Sequence, residues 1–428
     1  MAITTDDGSR LDRHPTHGFR HGRLDGSKQQ IRLARILPLD AQAPDLNAAP
    51  SQPRISCSLE VYDLPANGDA NVHIEDPDYI CLSYAWGDEN PKQTILLNGI
   101  PFIIRQNLFD LLCAMQERQE HGNLFWIDQL CIDQECVSER NAQVEFMSEI
   151  FSRARVVYMW LGEATERTPI AMSLLEAIRN ACIKAVTTTE TSSGNSGLDS
   201  QTHLLPIVNE ELFALGYHPS DLESLSDIFE RPYWERLWIV QEVLLAESEL
   251  LLCGTYEHLL SPSRCGELAL FSMYLHDHFV TGPARRGLWD LHGRCGMAAD
   301  LLLHCYTPWM AGHTLLDAVL MHSTRLCSDL RDKVFGLQAC VRPEERLTVD
   351  YNLSTEDVFL RVAFAFETDE KGTILEGDEK PRRVALIHLR NELQLAWWSG
   401  LDIDQLCQFT GYYLIKRTND LIRTVMQM

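Results

Sequence analysis

Tyr79-Ile-Cys-Leu-Ser-Tyr84 is a short, almost continuously apolar run, and the turn Ala85-Trp86-Gly87-Asp88 ends it. Runs of this kind suit strands buried on both faces of a parallel sheet, where neither side of the strand meets water. Two more follow: Leu124-Phe-Trp-Ile-Asp128 and Val156-Val-Tyr-Met-Trp160-Leu161, the second stopping at Gly162. Between them, a helix from about Glu139 carries Val144, Met147 and Phe151 at helical spacing. Strand, helix, strand in this rhythm predicts βαβ units and a parallel sheet. A helix from Pro169 to about Ala185 comes next, and Leu250-Leu-Leu-Cys253-Gly254 reads as a further strand.

Working outward, Thr94 to Ile104 holds Asn98-Gly99 between two β-rich runs. That pair predicts a hairpin, because both residues tolerate the positive φ of a type I′ turn. Asn107 then stands where it can cap a helix bearing Leu108, Leu111, Leu112 and Met115. Residues 1–54 read as a mobile arm with one apolar piece, Ile31 to Leu37, able to dock on the body. The core domain is expected over 55–255, with a Thr/Ser/Gly-rich flexible insertion at 187–202. Residues 256–428 read as a mainly helical extension. The expected fold class is thus α/β, a parallel-sheet core of flavodoxin type followed by helices.

The balance of charge excludes some roles. With 61 acidic against 37 basic side chains the formal net charge is −24. Such a surface repels phosphate backbones and anionic lipid heads, so no nucleic-acid partner is expected. No basic start followed by an apolar run opens the chain, and no apolar stretch approaches the roughly 18 residues that span a bilayer. The 13 cysteines follow no regular frame. Reduced thiols and a cytoplasmic location are the expectation.

In an open parallel sheet, ligands bind beyond the carboxyl ends of the strands. There the expected topology gathers Trp86, Asp88, Asp128 and Glu163. An indole can stack on a flat ring, and a carboxylate can accept ribose hydroxyls. Trp126 and Trp160 lie within strands, and core packing is the plainer reading for them. Read as one helix, Trp234 to Ala246 puts Glu235, Trp238 and Glu242 on one face. A carboxylate beside an indole in a partly dry site suits acid/base work. Arg140, Arg236, Arg325 and Arg331 could clamp phosphates, but in so acidic a chain pairing with acids is favoured. Arg331-Asp332-Lys333, after Ser328 and Asp329, reads as a capped helix start. His292-x-x-Cys295 and His304-Cys305 match no common closed zinc spacing, so no metal is expected. Gly-rich phosphate loops and Gly-x-Ser-x-Gly are absent.

Several of these blocks together resemble the fungal heterokaryon-incompatibility (HET) domain. They are Leu82-Ser-Tyr-Ala-Trp86-Gly87-Asp88, the Leu124 to Gln134 block with Glu139-Arg140, Ala154 to Gly162, and Arg231-Pro-Tyr-Trp234-Glu-Arg236-Leu-Trp238-Ile-Val-Gln241-Glu242. Arg331 to Leu337 and Asp350-Tyr351 match blocks often found after that domain. The resemblance implies self-association, an incompatibility partner protein, and a role in non-self recognition and programmed cell death. HET domains in turn resemble Toll/interleukin-receptor-like (TIR) modules, some of which cleave NAD with a Glu in a Trp-x-x-(x)-Glu segment. Trp238-Ile-Val-Gln-Glu242 is similar to it. This implies Glu242 as the catalytic group, Ser83 and Tyr84 near the site with Trp86, Asp88, Asp128 and Trp238 as ligand contacts, and NAD as substrate, with no resident cofactor. Two alternatives stay open: a non-enzymatic adaptor that only assembles, and a HET-like enzyme of secondary metabolism acting on a small metabolite.

Overall fold

The computed structural model describes residues 18–26, 28–38, 55–64, 77–190, 204–261, 270–271, 274–275, 294–306, 314–367 and 379–395. The strands are β1 Gln30–Ile36, β2 Ser56–Asp63, β3 Tyr79–Tyr84, β4 Lys92–Leu97, β5 Ile100–Arg105, β6 Leu124–Trp126, β7 Val156–Trp160, β8 Glu249–Cys253 and β9 Tyr256–Ser261. They form one sheet in the order β5-β4-β2-β1-β6-β3-β7-β8-β9. Its centre, β6-β3-β7-β8, is parallel throughout. Numbered along the chain, those four strands lie in the order 2-1-3-4, as in doubly wound flavodoxin-type sheets. All six residues of β3 are buried, as the continuous apolar run requires.

The sheet is mixed rather than parallel, because antiparallel strands flank the centre. β1 pairs antiparallel with both β2 and β6, β4 with β5, and β8 with β9. β1 comes from the stretch read as a mobile arm. Its apolar piece does dock on the body, as an interior strand with Ile31, Leu33, Ala34 and Ile36 buried. Arg32 is buried with them and made tolerable by bonds to Glu139 (2.6 and 2.9 Å) and to the carbonyls of Cys131 (2.8 Å) and Gly22 (2.6 Å). The sheet also crosses the boundary expected at 255, since β9 follows it.

The hairpin turn has Asn98 at φ 50° and Gly99 at φ 76°, as a type I′ turn demands. The helix α1, Gln106–Glu117, buries Leu108, Leu111, Leu112 and Met115. Asn107 does not cap it. It sits inside the first turn, donating to the Ala85 carbonyl and accepting from Trp160 Nε1 (3.0 Å), a tertiary bond that outcompetes the local one. The remaining helices around the parallel centre are α2 Asp128–Cys131, α3 Val137–Ser152, α4 Thr168–Glu190, α5 Leu205–Ala214, α6 Ser226–Phe229 and α7 Ile239–Leu244. Residues 187–190, expected in the flexible insertion, extend α4, and 191–203 lie outside the described residues. Beyond β9 the described elements are helical: α8 Arg294–Tyr306, α9 Leu315–His322, α10 Asp332–Phe335, α11 Thr355–Glu367 and α12 Glu379–Glu392. Among the described residues no helix is long and apolar enough to cross a membrane, and ten of the described cysteines are free thiols.

One glycine is fixed by space. Gly254 turns β8 into β9 at φ +56°, and a Cβ there would lie 2.8 Å from Ala164 Cβ and 2.9 Å from its amide nitrogen. Gly254→Ala is therefore expected to cost roughly 2–4 kcal/mol, adding a left-handed backbone penalty to overpacking. A urea-melt midpoint indistinguishable from the parent's would refute this.

Candidate active site at the sheet switch point

β3 has β6 on one side and β7 on the other, so the chain leaves the sheet in opposite directions around its carboxyl end. That is the switch point at which a doubly wound sheet opens a crevice. A cavity of about 460 Å³ lies there, within the size range of small-molecule sites. Trp86, Asp128, Arg236, Trp238 and Glu242 all line it.

The turn after β3 is tied to the start of α2. Asp128 Oδ1 accepts from Tyr84 OH (2.8 Å) and from the Gln129 amide (2.7 Å), and Oδ2 accepts from Trp86 Nε1 (2.6 Å). A half-buried Asp just beyond a buried strand needs such partners. The result fixes the Trp86 ring in the cavity wall, with the Arg105 guanidinium 5.0 Å from its centroid. Asp128 thus serves to hold Trp86, its carboxylate being fully engaged.

Glu242 reaches the same cavity from α7. It is 5% exposed and accepts a hydrogen bond from Ser83 Oγ, which in turn bonds Tyr233 OH (2.7 Å). Arg236 Nη1 lies 3.8 Å from its Oε2 and donates to the Tyr84 carbonyl. Burial raises the Glu242 carboxyl to about 7; the Arg236 charge and the Ser83 hydroxyl pull the other way without cancelling it. On another wall Asp332 Oδ2 accepts from Trp238 Nε1 (3.0 Å) and Oδ1 from Tyr351 OH (2.5 Å). Burial raises Asp332 too, to about 7, with the Tyr351 bond opposing and the Asp329 charge adding. Two carboxyl groups poised near neutrality in one crevice fit acid/base or charge-stabilising work at ordinary pH.

Those raised values bear on stability. An unfolded chain holds these carboxyls near 4.5 and 3.8, so between about pH 4 and 7 the native state binds more protons than the unfolded one. Their contribution to stability is full below the unfolded values, falls as pH rises towards 7, and levels off above. Glu242→Gln removes one titrating group. The fall in melting temperature from pH 5 to 8 should be shallower in that variant than in the parent, and parallel curves would contradict the assignment.

Other expected site residues fall elsewhere. Asp88 is exposed and Glu163 is exposed, and neither lines the cavity; the Glu163 carbonyl accepts from Arg231 Nη1 (2.8 Å). Ser83 and Tyr84 are buried beneath the site, supporting Glu242 and Asp128. Trp126 and Trp160 are core, at 1% and 0% exposure. Glu235, Trp238 and Glu242 do line one cavity, but not as one helix face. Pro232–Glu235 is a 3-10 turn, Arg236 is extended at ψ 138°, and α7 begins only at Ile239. The break is a bridge to a distant segment: Leu237 N donates to the Leu326 carbonyl (2.8 Å) and Leu326 N to that of Glu235 (2.6 Å).

That segment supplies what the sequence reading did not assign to the site. Leu326, Cys327, Ser328, Asp329, Asp332 and Tyr351 line the cavity. Asp332 belongs to a block read as a capped helix start, yet α10 has no side-chain cap and Asp332 faces Trp238 instead. The signal available was that two blocks, Arg331 to Leu337 and Asp350-Tyr351, accompany the others in the resemblance.

Comparison with known proteins agrees with this layout. The family described as "Heterokaryon incompatibility protein (HET)" matches residues 79–242, from the first residue of β3 to Glu242. The "Heterokaryon incompatibility protein 6, OR allele" of Neurospora crassa is 27% identical over 327 residues, covering 68% of this chain and 47% of that protein. The chain thus spans about half the length of that curated relative. No solved structure shows a significant match. Residues 79–242, which build β3 to α7 and carry Trp86, Asp128, Trp238 and Glu242, are thus the part of the chain that matches the heterokaryon-incompatibility domain.

Proposed function

We propose that this chain acts in heterokaryon incompatibility, in non-self recognition leading to programmed cell death, and that its HET domain does so by cleaving NAD. The observation that carries the reading is Glu242. It is a buried carboxylate held by Ser83, near neutrality, at the wall of a cavity that also presents the rings of Trp86 and Trp238. In the reaction, the bond between C1′ of the ribose and the nicotinamide nitrogen breaks, and its electron pair leaves with nicotinamide. The ribosyl carbon becomes oxocarbenium-like, water adds to C1′ and releases a proton, and ADP-ribose forms. Ionised Glu242 stabilises the positive charge at C1′, which a dry site makes far more effective than water would. Trp86 and Trp238 offer faces on which a flat ring can stack.

Overproduction in fungal cells tests the biological half of the reading. Cells making the parent chain should lose NAD and stop growing, and cells making Glu242→Gln should not. Normal growth with undiminished NAD in both would overturn it. A concentration-dependent size shift without NAD loss would favour a signalling adaptor instead.

A further inference from the structure

The charged groups around the cavity do not cancel one another. Asp128 is engaged by Tyr84, Trp86 and the Gln129 amide. Glu235 pairs with Arg294 (2.8 Å), and Asp329 pairs with Arg331 at 2.6 and 2.8 Å. Asp332 spends both oxygens on Trp238 and Tyr351. The arginines are left over. Arg140 stacks on the Tyr351 ring at 4.1 Å, and among the described residues nothing accepts a hydrogen bond from its guanidinium. Its Nε is buried without a partner, although Asp329 and Asp332 feel its charge. Arg105 gives one bond, to the Gly87 carbonyl (2.8 Å), and stacks on Trp86. Arg236 gives one to Tyr84 and meets Glu242 only at 3.8 Å.

The expectation that arginines pair with acids therefore holds for Arg331 and fails for Arg140. In a chain with a net charge of −24 these three arginines nonetheless face the cavity with donors to spare: among the described residues Arg140 has no acceptor, Arg105 has one carbonyl, and Arg236 has one carbonyl and Glu242 at 3.8 Å. A guanidinium fork held by stacking and lacking an acceptor is preset for a bidentate oxyanion. We infer that Arg140, with Arg105 and Arg236, forms a subsite for the phosphate groups of a nucleotide. Tyr351, from outside the matched domain, orients the Arg140 fork. This rests on the nucleotide reading above and adds to it where the phosphates bind.

Calorimetric titration of the full chain tests it through binding alone. ADP-ribose and inorganic pyrophosphate should bind the parent. Adenosine, which lacks phosphate, should bind at least about tenfold more weakly than ADP-ribose. Arg140→Ala should weaken ADP-ribose roughly 10- to 100-fold, leave adenosine unchanged and flatten the dependence on salt. Arg105→Ala, on the Trp86 wall, should weaken ADP-ribose as well, and carries the test if Arg140→Ala does not fold. Failure of both ADP-ribose and pyrophosphate to bind the parent would overturn the inference. So would unchanged ADP-ribose affinity in the folded arginine variants, or tighter binding of succinate, a dicarboxylate, than of pyrophosphate. ADP-ribose binding without NAD turnover would sink the cleavage reading and leave this subsite standing. Turnover untouched by Arg140→Ala and Arg105→Ala would do the reverse.

Discussion

A Glu242→Gln chain is expected to fold as well as the parent, yet release nicotinamide from NAD at least about 100-fold more slowly, the scale set by removing one preorganised stabiliser of a transition-state charge. Gln keeps the shape of Glu and still accepts from Ser83 Oγ, so the contacts of α7 with β3 persist. What it lacks is the ionised carboxylate facing C1′. In the parent, activity should rise with pH through about 7 as Glu242 loses its proton. The variant's residual activity should lack that step. Burial is also what raises the carboxyl, so the ionised side chain burdens the fold, and above pH 7 the variant should be at least as stable as the parent. A group kept for packing alone would give the opposite pattern: lost stability and unchanged turnover per folded molecule.

The second large effect is structural. Glu139→Ala should cost about 3–5 kcal/mol, the usual loss when one member of a buried ion pair is removed. Arg32 is 2% exposed in the interior strand β1, and Glu139 is its only carboxylate partner among the described residues. Removing it leaves a guanidinium in the sheet with two carbonyls and no counter-charge. Burial pulls the Glu139 carboxyl up, but the bonds from Arg32 and the Asp133 amide and the Arg32 charge outweigh it and hold the group below its usual value. The stabilisation is thus present above the unfolded carboxylate value and is lost as pH falls through the lowered native one. The double variant Arg32→Met with Glu139→Leu should recover most of the loss, because it leaves no charge behind. Urea melts decide this, and a loss below about 1 kcal/mol for Glu139→Ala would contradict it.

The centre of the sheet was legible because strands buried on both faces write continuous apolar runs, as at Tyr79–Tyr84 and Val156–Trp160. Asn98-Gly99 was legible because few other pairs accept two positive φ values. β1 was not, since Arg32 and Arg35 interrupt its apolar pattern, and the partner that makes Arg32 bearable is Glu139, far along the chain. The same cause hid the break before α7. Local propensity favours a helix through Arg236, and only the bridge to Leu326 makes the extended form better. Half of the site was visible for a local reason: Trp86, Asp128, Trp238 and Glu242 sit where strands end or helices begin. Asp332 and Tyr351 reach the cavity by a fold-back that no periodicity records. Arg140 was read by composition, and composition cannot say which acids other residues have already claimed.

Incubation of the purified full chain with NAD, at low and high protein concentration, with nicotinamide followed by chromatography, tests the central claim most directly. Release by the parent that disappears in Glu242→Gln is the expected result. No release at any concentration, from a chain shown to be folded, would contradict the assignment of Glu242 as a catalytic carboxylate.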